Sequence, residues 1–383
     1  MWKRLGSVAA GLLLVATTVL PARPAGAAPV PPGKDPFYRY TGSVPLASIA
    51  PGTVLKTRTL DLHVLGLALP VTVVQLLYRS TGETGGPTVN VTSVLEPPLR
   101  PATPKVVSYQ SFYDSLNPAD EPSQAIEGGS TLGEFIPNLE SVLIAPALLA
   151  GYTVVVPDTE GEHADFAAGP VYGLNTLDSL RAALRSPATG LAGRARIGLI
   201  GYSGGAIATE WAAELAPSYA PGVNRLLVGA AMGGVLVDPD HNLHYVNGSQ
   251  QWSGTIPMAL IGVARAFHVD LTPYMSAYGR QLFKKLQKAS IVQVLGAYPG
   301  LTWKKLAKPR YQQPESVPVF VHIVNQLIMG SRDTPTVPLL IAQGDNGTDQ
   351  GTPGNKPGIG PGDGVMIAGD VRTLARKYCR RGV

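Results

Sequence analysis

A chain of 383 residues with 45% hydrophobic and 15% charged residues can bury a large core, which excludes an intrinsically disordered protein. Its net charge of +5 comes without any Lys/Arg run interleaved with aromatics, so no nucleic-acid partner is expected. The densest basic stretches, Lys284-Lys285-Leu286-Gln287-Lys288 and Lys304-Lys305, read as solvated helix faces, and the single Cys379 excludes an internal disulfide.

At the N-terminus, Lys3 and Arg4 precede an apolar run over 8–20, and Ala25-Gly26-Ala27 offers a small-residue cleavage site. Residues 1–27 therefore read as a cleaved signal peptide, with a secreted, extracellular location expected. The run is shorter than the ~20 residues of a membrane span, so no transmembrane segment is expected after cleavage. Cleavage removes Lys3, Arg4 and Arg23 and lowers the net charge from +5 to +2.

Residues 28–60 are rich in Pro and Gly and read as an extended arm. A meander is predicted next, from the β-rich 71–78 through the run near Val89 to 104–109. Strands then alternate with helices: a helical stretch at 143–149 before a strand at 152–156, and another at 177–184 before a strand at 196–200. Residues 224–230 and 337–342 supply two more strands. Such strands, apolar on both faces, predict an α/β fold with a mostly parallel sheet covered on each side by helices. Between 234 and 332 the strand rhythm stops and helical stretches such as 277–286 and 319–329 predict an inserted helical cap, dividing the core into 28–233 and 333–383. Residues 344–362 read as a loop.

Gly201-Tyr202-Ser203-Gly204-Gly205 fits G-x-S-x-G, between an apolar strand and the Ala-rich helical stretch 206–215. A sharp strand-to-helix turn there would hold Ser203 in strained backbone geometry as a nucleophile, with the Gly204 N–H donating to an oxyanion. A serine hydroxyl needs a general base, expected in the chain order Ser, Asp or Glu, His. All six histidines (His63, His163, His241, His244, His268 and His322) precede the predicted strand at 337. Among the candidate acids Asp345, Asp349 and Asp363, position directly after that strand favours Asp345. Asp158 and Glu160 follow a strand end and read as capping residues. His241 and His244, with Asp238 and Asp240, read as a polar loop, and no metal is expected.

Ile200-Gly201-Tyr202-Ser203-Gly204-Gly205-Ala206, Trp211-Ala212-Ala213 and Ser218-Tyr219-Ala220-Pro221 closely resemble the secretory lipase family, of the α/β-hydrolase superfamily. So do Val107-Ser108-Tyr109-Gln110 with Tyr113-Asp114-Ser115, Gly151-Tyr152-Thr153-Val154-Val155-Val156-Pro157-Asp158 with Glu160-Gly161, and Leu177-Asp178-Ser179-Leu180-Arg181-Ala182-Ala183. The resemblance covers most of the chain after residue 27 and weakens in the cap. It implies hydrolysis of acylglycerols or other carboxylic esters through a serine acyl-enzyme, in lipid catabolism, with contact to a lipid interface and no cofactor.

The resemblance also assigns Asp114 to the oxyanion hole beside Gly204, a role that demands a protonated carboxyl, where the residue alone reads as a turn position. It selects Asp363 as the triad acid, ahead of a helix ending near Cys379, with 344–362 as an insertion. Relatives continue with a strand and a loop bearing the catalytic His, whereas this chain stops at Val383, so the triad His is expected to be absent. Rescue by His163 or His268 is the weaker alternative. Two other classes stay open: a catalytically impaired, lipid-binding member of the family, and a serine peptidase on the same fold.

Overall fold

The computed structural model describes residues 30, 33–191, 195–347, 352 and 354–383; the expected signal peptide and Asp349 lie outside them. Eight strands form one sheet: β1 (Val54–Val64), β2 (Leu67–Thr81), β3 (Pro87–Leu95), β4 (Lys105–Gln110), β5 (Tyr152–Pro157), β6 (Arg196–Tyr202), β7 (Leu227–Gly233) and β8 (Leu339–Ala342). Their order is β1-β2-β3-β5-β4-β6-β7-β8, antiparallel up to β5 and parallel from there on.

Two expectations change here. The arm read over 28–60 ends in β1 from Val54, which pairs antiparallel with β2. Pro and Gly crowd only the part before Val54, where short turns at Pro36–Tyr38 and Leu46–Ser48 stand. The meander also breaks, because β5 enters between β3 and β4. A buried parallel strand reads the same wherever it is inserted, so local pattern cannot order β4 and β5.

Helices α1 (Phe135–Leu149), α2 (Gly169–Arg185) and α3 (Gly204–Tyr219) connect the strands. The main core lies on the face covered by α2 and α3, where Ile197, Leu199, Ala230 and Met232 meet Leu177, Ala208 and Trp211. Trp211 is fully buried, and a Cβ on Gly173 would stand 2.6 Å from its backbone carbonyl carbon, so glycine permits the close approach of α2 to α3. On the other face α1 packs Ile144 and Leu148 against Val154, Val156 and Tyr109.

That second face is bare further along the sheet. Ile200 of β6, Val228 of β7 and Leu340 of β8 are 42%, 43% and 68% exposed, and Ile200 and Leu340 share the register row that passes through Ala231. The sheet is thus not covered on each side throughout, as its apolar strands predicted; among the described residues no helix lies over this end. Apolar strands signal the capacity to be covered, not the presence of a cover.

Between β7 and β8 the chain is helical, with α4 (Pro239–Val246), α5 (Thr255–Ala266), α6 (Ala277–Leu286) and α7 (Pro318–Val324). These helices and the short helix Trp303–Leu306 build a second core that includes Leu243, Ile256, Leu260, Phe283, Trp303 and Phe320. The stretch read as a polar loop around His241 is instead α4. Asp238 caps it, accepting from the Asp240 and His241 amides at 3.0 and 3.3 Å, and Pro239 opens it. After β8 and a loop, α8 (Ala368–Cys379) returns to the core. The hydroxyl of its Tyr378 donates to Glu210 and, at 3.2 Å, to Glu214 of α3. Among the described residues no helix is long and apolar enough to cross a membrane.

Candidate active site

Ser203 stands at the junction of β6 and α3 with φ 53° and ψ −118°, a left-handed conformation that a non-glycine residue adopts only under constraint. The constraint is visible. The Ser203 amide donates to Gly233 O at 2.8 Å, and its carbonyl accepts from Ala206 and Ile207 to open the helix. A Cβ at Gly205 would overlap the Gln110 carbonyl oxygen, and one at Gly201 would overlap the Gly205 carbonyl. The turn is held between neighbouring backbones, with its serine half-buried at the C-terminal edge of the sheet.

The Asp114 carboxyl lies against Gly204, so closely that a Cβ on that glycine would overlap Asp114 Oδ1. Asp114 is 6% exposed and also has a positive φ, 41°. Among the described residues its carboxyl has no hydrogen-bond partner. Burial, with the nearby Glu140 carboxyl adding repulsion, pushes its pKa up to about 8, so the group holds its proton at neutral pH and can donate it. The Gly204 amide and this carboxyl thus meet beside Ser203.

Two acids hold the Asp114 turn that sequence reasoning did not link to it. Glu140, on the inner side of α1, accepts from the Tyr109 hydroxyl at 2.9 Å, the Phe112 amide at 3.0 Å and the Ser111 hydroxyl. Glu160 accepts from the Ser115 amide at 3.2 Å and the Tyr172 hydroxyl at 3.0 Å. Glu160 was read as a capping residue and takes no such part. Asp158 does cap, but across the fold: it accepts from the Ser123 amide and hydroxyl of the short helix Pro122–Glu127 at 2.9 and 2.6 Å.

Desolvation pushes all these groups upward, Glu140 and Asp158 to about 7 and Glu160 well above its usual range. In the unfolded chain they titrate near pH 4, so between about pH 4 and 8 the native state binds more protons and stability falls as pH rises. The thermal midpoint is therefore expected to drop from pH 5 to pH 9. A midpoint that climbed over that interval in a melting series would mean that these carboxyls are ionised in the fold.

Of the two candidate acids among the described residues, Asp363 is the one joined to the sheet edge. Its Oδ2 accepts from Gln343, the residue after β8, at 2.9 Å, and its Oδ1 from the Val365 and Met366 amides at 2.9 and 2.7 Å. The Tyr202 hydroxyl feels its charge, which helps burial raise that phenol, so Asp363 reaches the neighbourhood of the elbow. Asp345, favoured by position alone, turns outward to an exposed ion pair with Arg372 at 2.8 Å.

No histidine hydrogen-bonds to Ser203 or Asp363 among the described residues. His63 meets the Asp61 carbonyl, His241 meets Asp370, His244 meets Glu315, and His322 meets Gln326. His163 and His268, the candidates for rescue, line a different pocket that Ser203 does not touch. Asp240, His244 and Glu315 bring three oxygen and nitrogen atoms within 4.8 Å of one another, a convergence that the α4 helix and the turn Pro314–Ser316 create and the linear sequence conceals.

A family model described as secretory lipase matches residues 126–351. A Mycobacterium tuberculosis protein described as a probable inactive lipase is 33% identical over 322 residues, covering 82% of this chain and 71% of its own. The chain belongs to the secretory lipase family. Lipase 6 of Candida albicans is 39% identical over 242 residues, which cover 62% of this chain; the match spans about half of that lipase, 51%. The structure of Candida antarctica lipase A in its closed state superposes with a TM-score of 0.79 at 27% identity, over 93% of this chain and 80% of that one. The fold is therefore that of an α/β-hydrolase, within a family of ester hydrolases.

Proposed function

We propose that the protein is an exported carboxylic ester hydrolase acting through a Ser203 acyl-enzyme, with Gly204 and Asp114 as oxyanion donors and Asp363 as the triad acid. The observation that carries this reading is the strained Ser203 turn with a protonated carboxyl resting on Gly204. Ser203 Oγ attacks the ester carbonyl carbon, the bond to the alcohol oxygen breaks as that oxygen gains a proton, and water then splits the acyl-enzyme into acid and free serine. An apolar cavity of about 80 Å³ between α4, α5 and α7, lined by Leu243, Val246, Ile256, Leu260, Phe320 and Ile323, has room for only a short apolar segment, and it is the lipases among the relatives that favour acylglycerols.

The placement of the histidines favours a second reading, a lipid-binding member whose turnover is impaired. Loss of a triad member lowers rate by orders of magnitude, up to ~10⁶, while oxyanion hole and binding retain ~10³ to 10⁴ over water. Release of nitrophenol from short- and long-chain nitrophenyl esters, with Ser203→Ala alongside, separates the two. Turnover that disappears in Ser203→Ala supports the hydrolase; saturable uptake of a long-chain fatty acid without turnover supports the lipid binder.

A further inference from the structure

We propose that Asp240, His244 and Glu315 form a binding site for a divalent transition-metal ion, zinc above all, which fastens α4 to the turn before α7. The expectation of no metal rested on the lack of a further ligand close to His241 and His244 in the chain. The fold supplies one. Asp240 and His244 stand four residues apart in α4, so one helical turn puts both on one face, and Glu315 reaches His244 from 71 residues further along. His244 Nε2 lies 2.7 Å from Glu315 Oε1 and 4.0 Å from Asp240 Oδ1, and the three donor atoms all fall within 4.8 Å of one another. Atoms bound to one zinc at ~2.0 to 2.2 Å in a tetrahedron stand ~3.3 to 3.6 Å apart, so this triangle accepts an ion with small side-chain shifts.

A second observation marks the place. Asp240 Oδ1, the oxygen 4.0 Å from Nε2, is shut away from solvent and accepts no hydrogen bond, a rare condition in folded proteins. A water would have to stand about 2.8 Å from it, whereas a zinc ion binds at about 2.1 Å, so a gap closed to water still admits the ion. Charge agrees. Among the described residues neither carboxylate has a Lys or Arg within ion-pair distance, and His244 is the base that each of them meets. Two carboxylates and a neutral imidazole leave two negative charges, which a divalent ion cancels. On binding, the Nε2 lone pair turns to the metal and the ring keeps its proton on Nδ1. The imidazole selects zinc and its neighbours over calcium, which takes ~6 to 8 oxygens. Since α4 and α7 both line the apolar cavity, an ion held here ties together two of its walls.

The test is calorimetric titration of the full chain, free of any histidine tag, with zinc chloride at pH 7. Saturable binding of about one ion per chain is expected, weakened about tenfold or more in His244→Gln and in Glu315→Gln, whose side chain is half exposed. His241→Gln, in the neighbouring cluster with Asp238 and Asp370, is expected to bind as the wild type does, and calcium to bind at least about tenfold more weakly. Absence of saturable zinc binding, wild-type affinity in folded His244→Gln and Glu315→Gln, an equal loss in His241→Gln, or equal affinity for calcium would each overturn the proposal. The titration contains no ester, and none of the three side chains has a part in the proposed hydrolysis, so the result is independent of that reading.

Discussion

Added imidazole should raise nitrophenyl acetate hydrolysis by the wild-type chain in proportion to its concentration, and leave Ser203→Ala at the rate imidazole gives alone. On the proposed reading Ser203 is the nucleophile, Gly204 and Asp114 are its oxyanion donors and Asp363, at the end of β8, is the acid, and among the described residues no histidine hydrogen-bonds to Ser203. General-base assistance contributes roughly 10² to 10⁴ in rate, and a freely diffusing base recovers only part of it, because it lacks the effective concentration of a tethered one. A Ser203-dependent gain of about tenfold is the expected size at high imidazole. The bare face beside Ile200 and the half-buried serine leave the approach open. If the unassisted rate were already high, dependent on Ser203 and insensitive to imidazole, a side chain of the protein would be serving as base. Replacing His163 and His268 in turn would identify it.

The elbow was legible in the sequence because every feature it needs is local: a strand, a five-residue turn with flanking glycines, then a helix. The proposed acid was not. Position after β8 favours Asp345, and only the resemblance selects Asp363, which meets Gln343 from 20 residues along the chain. Glu140 and Glu160 were harder still. In α1 the outward positions are themselves apolar, with Phe135, Leu139 and Leu143 each more than half exposed, so the helix pattern gives no sign that a glutamate faces inward. Their partners Ser111, Phe112, Ser115 and Tyr172 lie 12 to 45 residues away, and hydrogen bonds of that reach are set by the packed sheet. The bare end of the second face had no sequence signature either, since Ile200 and Leu340 look like any buried strand residue.

Asp114 should give the enzyme an alkaline limb that a single amide removes. On the proposed reading its carboxyl, pushed up to about 8 chiefly by burial, donates to the oxyanion while protonated and repels it once ionised. The imidazole-supported kcat/KM is therefore expected to rise as imidazole loses its proton near neutrality and to fall again above pH 8. Asp114→Asn keeps an N–H donor at a similar place without a titrating proton, so its profile should stay level on the alkaline side. Asp114→Ala removes the donor and should lower kcat/KM by about 10²-fold at pH 7. The comparison separates chemistry from scaffolding. If Asp114 merely filled space beneath Gly204, Asn and Ala would share the wild-type limb, and the fall above pH 8 would belong to the neighbouring carboxyls Glu140 and Glu160, whose ionisation loosens the same turn. The rate profiles decide that case, because a loosened turn lowers kcat/KM above pH 8 in all three proteins, whereas loss of the Asp114 proton lowers it in the wild type alone.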